Sequence, residues 1–279
     1  MAIVLIAGFV SCSKSSDTGL ITPPADTVVV VPTTVLLRTD SHFGSVITNA
    51  KGETLYFFSP DANGTSACTG GCLTAWPVFY TAALKVASGL DSTDFATITR
   101  TDGTKQNTYK GWPLYTYAAD SKAGDINGDG VGKVWFVAKP DYTILIAEKQ
   151  LVGNDGVSYD STYHAGTGNT FYMTDAHGVT LYAFSFDKAG ANHYTKSDFS
   201  NDAFWPIVQV STVENVASTL NKSDFASITV FTKPQLTYKG WPVYRFGPDS
   251  LTRGNTKGIS VPTPGIWPVM NSFSPVAPQ

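Results

Sequence analysis

Hydrophobic and polar positions alternate in a short pattern that occurs four times along the chain, each time as Tyr-x-aromatic-x-x-Asp. In the first copy, Leu55 and Phe57 alternate with Tyr56 and Phe58, which is the two-residue period of a β-strand. The tyrosine and the aromatic residue two positions later therefore share one face of the predicted strand. We call each copy a cassette; the members are Tyr56, Phe58 and Asp61, then Tyr115, Tyr117 and Asp120, then Tyr182, Phe184 and Asp187, and finally Tyr244, Phe246 and Asp249.

Turn residues and tryptophans surround every cassette. A glycine four residues before each tyrosine predicts a tight turn, and Pro-Asp at the far end of two cassettes predicts that the strand stops there. Residues 92–96 and 222–226 are expected to form short helical turns. A tryptophan follows each cassette, and we expect a further strand to start at each of Trp76, Trp135, Trp205 and Trp267.

The cassettes belong to a duplication within a duplication. Residues 90–99 match residues 220–229, and successive cassette tyrosines are 59, 67 and 62 residues apart. This pattern predicts an all-β fold of four β repeats of about 60 residues each, arranged in two tandem halves at residues 35–150 and 151–279. Two arrangements stay open, namely a propeller-like ring of four small sheets and two pseudo-symmetric β domains.

The N-terminal residues predict export. An apolar run too short to cross a bilayer ends just before Cys12, so residues 1–11 are expected to be a lipoprotein signal peptide. Small residues before a cysteine resemble a bacterial lipobox, in which Cys12 would carry a lipid and the bilayer would be the partner. Residues 12–34 are rich in Thr, Pro and Ser, which indicates a tether. The alternative is an ordinary secretory leader.

Charge and motifs exclude several function classes. The chain has 279 residues, with 19 basic and 22 acidic side chains and no basic run, so nucleic acid is a poor partner. No nucleophile and base, Walker loop or dinucleotide fingerprint occurs in a recognisable arrangement, so we do not expect an enzyme.

A pair of cysteines and an acidic loop occur only in the first half. Cys68 and Cys72 are expected to form a local disulfide in an exported protein, the alternative being a thiolate metal or redox site. Asp125, Asn127 and Asp129 match the start of a calcium loop, for which Asp120 or Asp141 could supply a further acid. Calcium is therefore the cofactor that this loop suggests, and a plain turn is the alternative.

Four equivalent aspartates fit a structural role better than catalysis, because catalysis usually needs two groups in unlike environments. Each is expected to cap the turn that ends its strand, and each is also a candidate partner for a buried tyrosine hydroxyl. The cassette aromatics and the tryptophans are expected to lie in the core. A glycan-binding surface formed by exposed aromatics such as Trp112 and Trp241 is an alternative.

Together with the lipobox, the cysteine pair and the Tyr-Lys-Gly-Trp-Pro run at residues 109–113, the cassettes resemble the secreted-repeat lipoproteins of bacteria. The resemblance covers residues 36–270. It implies an envelope-anchored protein on the outer membrane, facing the periplasm or the exterior, but no reaction, since that family has no established activity. We therefore expect a non-catalytic binding or structural module, with redox or metal handling and glycan binding as alternatives.

Overall fold

The computed structural model describes residues 32–279. The predicted signal peptide, Cys12 and nearly all of the predicted tether lie outside the described residues. Within the described part, the protein is all-β with few helices, as predicted. The strands are β1 Val35–Asp40, β2 Gly44–Asn49, β3 Tyr56–Phe58, β4 Phe95–Thr99, β5 Lys105–Tyr109, β6 Trp112–Pro113, β7 Trp135–Val137, β8 Tyr142–Val152, β9 Ser158–Tyr159, β10 Asn169–Asp175, β11 Tyr182–Ala183, β12 Asn215–Val216, β13 Phe225–Val230, β14 Lys233–Tyr238 and β15 Trp241–Tyr244.

The helical segments of the described residues are all short. One α-helix, α1, spans Cys72–Ala75. Among these residues no helix has the length and apolar character needed to cross a bilayer. The remaining helical segments are 3₁₀ turns at Ser59–Asp61, Ser92–Asp94, Val131–Lys133, Lys222–Asp224, Gly247–Asp249 and Lys257–Ser260.

The strands form several small sheets, and nearly all neighbours are antiparallel. β1 pairs with β2, β3 pairs with β7, and β4, β5 and β6 follow one another in a three-stranded sheet. A four-stranded sheet has the order β11-β15-β14-β13. The last sheet has the order β10-β8-β12, in which β12 lies parallel to β8, and β9 adds to the other end of β8.

The two halves repeat the same hairpin in the same register. In the first half, β1 and β2 pair from Val35 opposite Asn49 to Asp40 opposite Gly44. In the second half, Ile144 opposes Asp175 and Lys149 opposes Thr170, so residues 144–149 of β8 take the place of β1. The expected boundary between residues 150 and 151 lies inside β8. Since residues 144–149 correspond to β1, the hairpin register places the start of the second repeat pair near the beginning of β8 instead.

The prediction of a strand at every tryptophan is wrong for three of the four. Trp135 alone begins a strand, β7. Each of the other three tryptophans is followed by a single isolated β-bridge. The bridges are Val78 with Tyr115 after Trp76, Ile207 with Tyr244 after Trp205, and Val269 with Tyr182 after Trp267. Proline follows Trp76, Trp205 and Trp267 but not Trp135, and its missing N–H removes one ladder donor at each of these three sites. Proline alone does not exclude a strand, because β6 and β15 also begin with Trp-Pro.

The predicted turns are confirmed. The cassette glycines all have left-handed φ angles, at +79° for Gly52, +77° for Gly111, +82° for Gly178 and +86° for Gly240. The two expected helical turns occur as the 3₁₀ segments Ser92–Asp94 and Lys222–Asp224, and their preceding residues Asp91 and Asn221 accept a hydrogen bond from the turn. Helix α1 had no counterpart in the sequence prediction.

A buried arginine connects the two halves. The Arg253 Nε–H donates to the Ala62 carbonyl at 2.7 Å, and its Nη1–H donates to the Lys110 carbonyl at 3.3 Å. Its guanidinium lies 4.7 Å from the ring of Trp112, which is a cation–π contact. The Trp112 Nε1–H in turn donates to the carbonyl of Ala176 at 3.0 Å. Groups from both halves therefore satisfy one another in the core.

Candidate functional site

The hydrogen bonds between the cassette tyrosines and aspartates join two different cassettes. Each tyrosine hydroxyl donates to the aspartate of the other cassette in the same half, so neither cassette is complete alone. This confirms the repeated aspartate as the tyrosine's partner and adds that the partner comes from a different cassette. The four bonds are Tyr56 to Asp120 at 2.6 Å, Tyr115 to Asp61 at 2.7 Å, Tyr182 to Asp249 at 2.6 Å and Tyr244 to Asp187 at 2.6 Å.

The second oxygen of each aspartate accepts a backbone N–H from the loop that follows. These bonds hold the start of each long loop against its cassette, and their donors lie six to eight residues after the aspartate rather than in the turn that ends the strand. Both oxygens of every cassette aspartate are thus engaged inside the protein. The backbone donors are Ala67 to Asp61 at 2.6 Å, Asn127 to Asp120 at 2.9 Å, His193 to Asp187 at 2.7 Å and Lys257 to Asp249 at 3.0 Å.

Burial shifts the pKa values of these groups. Desolvation raises the pKa of Asp61 to about 7, although its bonds from Tyr115 and Ala67 act in the opposite direction. Desolvation also raises the pKa of Asp187 to about 6 and raises that of Asp249. Asp61, Asp187 and Asp249 lie in the interior, whereas Asp120 is half-buried.

The tryptophans that follow the cassettes stack in pairs. Trp76 lies on Trp135 with ring centroids 3.7 Å apart, and Trp205 lies on Trp267 at the same distance. All four are nearly inaccessible to solvent. Cassette aromatics extend each pair into four layers, with outer contacts of Tyr117 on Trp76 at 4.1 Å, Phe58 on Trp135 at 4.0 Å, Phe246 on Trp205 at 4.4 Å and Phe184 on Trp267 at 4.4 Å.

The structure does not assemble the predicted calcium site. Among the described residues, no three His, Cys, Asp or Glu side chains come together in a way that could hold a metal ion. Asp120 is used by Tyr56 and Asn127, as described above. The Asp125 Oδ2 accepts bonds from Ser121 and the Lys122 backbone, and the Asp129 Oδ1 accepts from the backbone of Val137 at 2.9 Å. These acids point to different neighbours because each closes a separate turn.

The glycine of this acidic loop is required by packing. A Cβ on Gly128 would lie 2.8 Å from ring atoms of both Trp76 and Tyr56. In the second half, a Cβ on Gly258 would lie 2.6 Å from Trp205 and 2.9 Å from Tyr182. The same close approach occurs in both halves, so Gly128 and Gly258 belong to the scaffold.

The disulfide lies beside the first Trp pair. Cys68 and Cys72 are bonded, and Cys68 is buried in the cluster that contains Trp76 and Trp135. Arg100 is buried behind them and donates to the Cys68 carbonyl at 2.7 Å, to the Gln106 Oε1 at 2.8 Å and to the Ser66 hydroxyl. The loop that carries the cysteines is therefore fixed by a covalent bond and a guanidinium.

In the second half a different side chain donates the hydrogen bond to the glutamine that Arg100 donates in the first half. The Asn192 Nδ2 donates to the Gln235 Oε1 at 2.7 Å and to the Thr195 Oγ1 at 2.8 Å. Residue 230, which corresponds to Arg100, is a buried valine. An amide from the loop thus replaces a guanidinium from a strand, and this loop has no disulfide.

An aromatic pocket opens above the second Trp pair. Its volume is about 510 Å³. Phe186 and Phe204 line it and are 63% and 60% exposed, an unusual state for large apolar side chains. We call it the rim pocket; its other lining residues are Phe184, Tyr194, Trp205, Val261, Pro262, Thr263, Ile266 and Trp267.

The first half has smaller or cross-linked residues at the corresponding positions. Counting from the cassette aspartates, Pro60 corresponds to Phe186 and Cys68 to Tyr194. Counting from the tryptophans, Ala75 corresponds to Phe204. Sequence reasoning missed the rim pocket because it compared the halves for cysteines and acids only. The sequence does carry a signal for this pocket, because Phe186, Tyr194 and Phe204 are aromatic where the first half has no aromatic residue.

The glycan-binding alternative named two tryptophans as exposed, and this is wrong for one of them. Trp112 is only 1% exposed, because its ring packs under Arg253. Trp241 is half-buried, and its Nε1–H is bonded to the Pro275 carbonyl at 2.9 Å. The exposed aromatic rings of the described residues lie elsewhere, and two of them, Phe186 and Phe204, line the rim pocket.

Comparison with known proteins supports the repeat. A family model described as a secreted repeat of unknown function matches residues 38–80 and residues 96–139. No curated protein and no solved structure matches the chain. The two matched segments contain the first two cassettes, with the turns before them and the tryptophans after them. The chain therefore carries two tandem copies of this secreted repeat in its first half.

Proposed function

We propose that this protein is a non-catalytic binding module of the bacterial envelope, and that the rim pocket receives an apolar group of its partner. The observation that carries the proposal is the exposure of Phe186 and Phe204 above a buried tryptophan pair. Contiguous apolar surface of this kind is costly to leave in water and often marks an interaction site.

The dimensions of the pocket suit a side chain, a ring or a short acyl segment. Ligand pockets usually measure roughly 300–1,000 Å³, and the rim pocket falls within that range at about 510 Å³. Its polar groups are few, chiefly the hydroxyls of Tyr194 and Thr263. A sugar needs several polar partners to replace its water, so an apolar occupant fits this lining better.

The test uses the fluorescent probe 8-anilino-1-naphthalenesulfonate, which binds apolar pockets. We expect the parent protein to bind the probe with saturation, and the double variant Phe186→Ala, Phe204→Ala to lose at least 10-fold in affinity. The matched control is Phe231→Ala, because Phe231 is 55% exposed but lies away from the pocket.

Two outcomes contradict the proposal. Either the parent fails to bind the probe, or the control loses as much affinity as the double variant. A parallel titration with neutral polysaccharides tests the glycan alternative. Binding of a polysaccharide by a protein that does not bind the probe would favour a sugar ligand.

In this proposal a lipid on Cys12 holds the module at the membrane, with residues 13–34 as its tether. The family description of the repeat as secreted supports an extracytoplasmic location. Partition of the full chain into detergent should be lost in Cys12→Ser. Equal partition of parent and variant would remove the lipid anchor from the proposal.

The proposal also takes the body as two pseudo-symmetric halves rather than a ring of four equal units. What supports this is that all four Tyr–Asp bonds and both Trp stacks stay within a half. Each half is thus closed on itself by two cassettes, and the halves differ in the loops that they carry.

A further inference from the structure

A groove with basic side chains lies between the end of β8 and the loop of residues 253–257. Its volume is about 410 Å³. Lys149, Arg253 and Lys257 line it, and none of the lining residues is acidic, although the chain as a whole has a net charge of −3. The remaining lining residues are Asn63, Gln150, Val152, Gly153, Gly254, Asn255 and Thr256.

The loop of the groove has the same backbone arrangement as the acidic loop of the first half. Two hydrogen bonds occur at equivalent places in both, which aligns residues 123–128 with residues 253–258. The paired bonds are Gly124 N–H to the Gly52 carbonyl at 3.1 Å and Gly254 N–H to the Gly178 carbonyl at 2.9 Å, then Thr54 Oγ1 to the Asp125 carbonyl at 2.7 Å and Thr180 Oγ1 to the Asn255 carbonyl at 2.5 Å.

The charges of the two loops are different. Arg253 stands where the first half has Ala123, and Lys257 stands where it has Asn127. The hairpin registers add a third replacement, because Lys149 opposes Thr170 at the place where Asp40 opposes Gly44. The first half adopts this backbone without any of the three cations. The backbone of this loop therefore does not require them. Arg253 bonds to the Ala62 and Lys110 carbonyls of the first half, so it is the two lysines whose presence needs another cause.

The lysines retain capacity to bind. The Lys149 Nζ donates one bond to the Pro60 carbonyl at 3.3 Å, and the Lys257 Nζ donates one to the Pro248 carbonyl at 3.4 Å. An ammonium has three donors, so each lysine has two more for a ligand. Arg253 lies beneath as a buried charge, and its Nη2 has no hydrogen-bond partner among the described residues.

The carboxylates near the groove do not occupy these donors. Asp61 and Asp249 attract Lys149 and Lys257 through the protein, but their oxygens are already taken by tyrosine hydroxyls and backbone N–H groups. Asp155 lies beside Gly153, and it accepts bonds from the Val157 N–H and the Tyr159 hydroxyl. No lysine–carboxylate ion pair forms at the groove among the described residues. The groove therefore presents positive charge without a direct internal counter-ion.

We infer that this groove binds an oxyanion-bearing ligand, with Lys149 and Lys257 contacting carboxylate or sulfate-type oxygens over the buried charge of Arg253. This site is separate from the rim pocket, so either can fail without the other. The oxyanion could come from a free ion or from the uronic acids of an acidic polysaccharide.

The test measures binding of two probes to the full chain, inorganic sulfate and a polygalacturonate oligomer, at low and high salt. We expect the parent to bind at least one of them, with affinity falling as salt rises because charges are screened. Lys149→Gln and Lys257→Asn should each weaken binding roughly 3-fold, and together about 10-fold. Asparagine is the residue that the first half holds at this position, so the fold already accepts it.

The matched control is Lys51→Asn, since Lys51 is exposed and lies outside the groove. Tight binding of the oligomer with no sulfate binding identifies a polysaccharide ligand, whereas similar binding of both identifies the free ion. Absence of binding to either probe overturns the inference. So does an equal loss in the control and in the double variant, provided that all variants melt at the parent's temperature.

Discussion

The two halves of this protein share one scaffold and carry different loops on it. In the first half the loop after the cassette is fixed by the Cys68–Cys72 disulfide and by Arg100. In the second half the equivalent loop is fixed by amide bonds, and it carries Phe204 at the rim of an open pocket. The exchanged Tyr–Asp bonds are the same in both. The two halves therefore share the bonds that stabilise the fold. They differ in their loops, which are the places to look for binding sites.

The comparison extends to charge. The loop of residues 123–128 contains an aspartate, and its counterpart at residues 253–258 contains an arginine and a lysine. Both loops place a glycine against a tyrosine and a tryptophan, as shown by Gly128 and Gly258. The glycines that pack against the rings are the same in both loops, whereas Ala123 and Asn127 are replaced by Arg253 and Lys257.

The largest expected effect comes from the feature that the halves share. Trp135→Ala and Trp267→Ala should each lower the free energy of unfolding by roughly 3–5 kcal/mol, because each removes one ring of a buried stack. Urea denaturation measures this. If one half tolerated the change with a loss below about 1 kcal/mol, the two scaffolds would not be equivalent.

A smaller effect should separate the halves. Cys68→Ser together with Cys72→Ser should cost roughly 2 kcal/mol, as expected for a cross-link that closes a very short loop. Probe binding at the rim pocket should not change, because that pocket belongs to the other half. Loss of probe binding in this variant would instead couple the disulfide to the binding site.

A pH profile distinguishes the two buried aspartates. The folded pKa of Asp61 is about 7, against an ordinary value of 3.8, so the folded state holds an extra proton between these values. Stability from this group is therefore greatest at low pH and falls as pH rises from about 4 to about 7. Asp61→Asn cannot titrate and should flatten the fall in melting temperature over that interval.

Asp187 gives the matched measurement in the second half. Its folded pKa is about 6, so Asp187→Asn should flatten the profile only up to about pH 6. The difference follows from burial, since desolvation is the main cause at both sites and acts more strongly on Asp61. Identical profiles for parent and both variants would contradict the assignment.

The smallest effect concerns the rim. Phe186→Ala and Phe204→Ala should change the free energy of unfolding by no more than about 0.5 kcal/mol, because both rings are mostly in water. Thermal unfolding of the double variant measures this. A large destabilisation would mean that the rim supports the fold and would weaken its assignment as a binding surface.

Much of the fold could be predicted from the sequence. The alternation around Tyr56 predicted a strand, and Gly52 predicted its turn, because both depend on local backbone preferences. The strands expected at Trp76, Trp205 and Trp267 were wrong, although Trp-Pro does begin β6 and β15. The same dipeptide therefore pairs as a strand in one place and not in another, and local rules do not distinguish the two.

The candidate site was harder to predict. The partner of Tyr56 is Asp120 rather than Asp61 of the same cassette, and no local rule specifies an exchange between residues 64 positions apart. The acids of the calcium motif are not brought together in the described residues for a similar reason, since Asp125 and Asp129 bond to different backbone groups. Spacing along a chain does not fix the directions in which side chains point once the loop is folded.

The exchange of tyrosine and aspartate between cassettes can be tested most directly by a double-mutant cycle. Tyr244→Phe and Asp187→Asn remove the two ends of one bond, and Tyr244→Phe with Asp249→Asn gives the control cycle within a single cassette. We expect a coupling energy of roughly 1–2 kcal/mol between Tyr244 and Asp187, and less than about 0.5 kcal/mol between Tyr244 and Asp249. Equal coupling in the two cycles, or coupling only within the cassette, would contradict the exchanged scaffold.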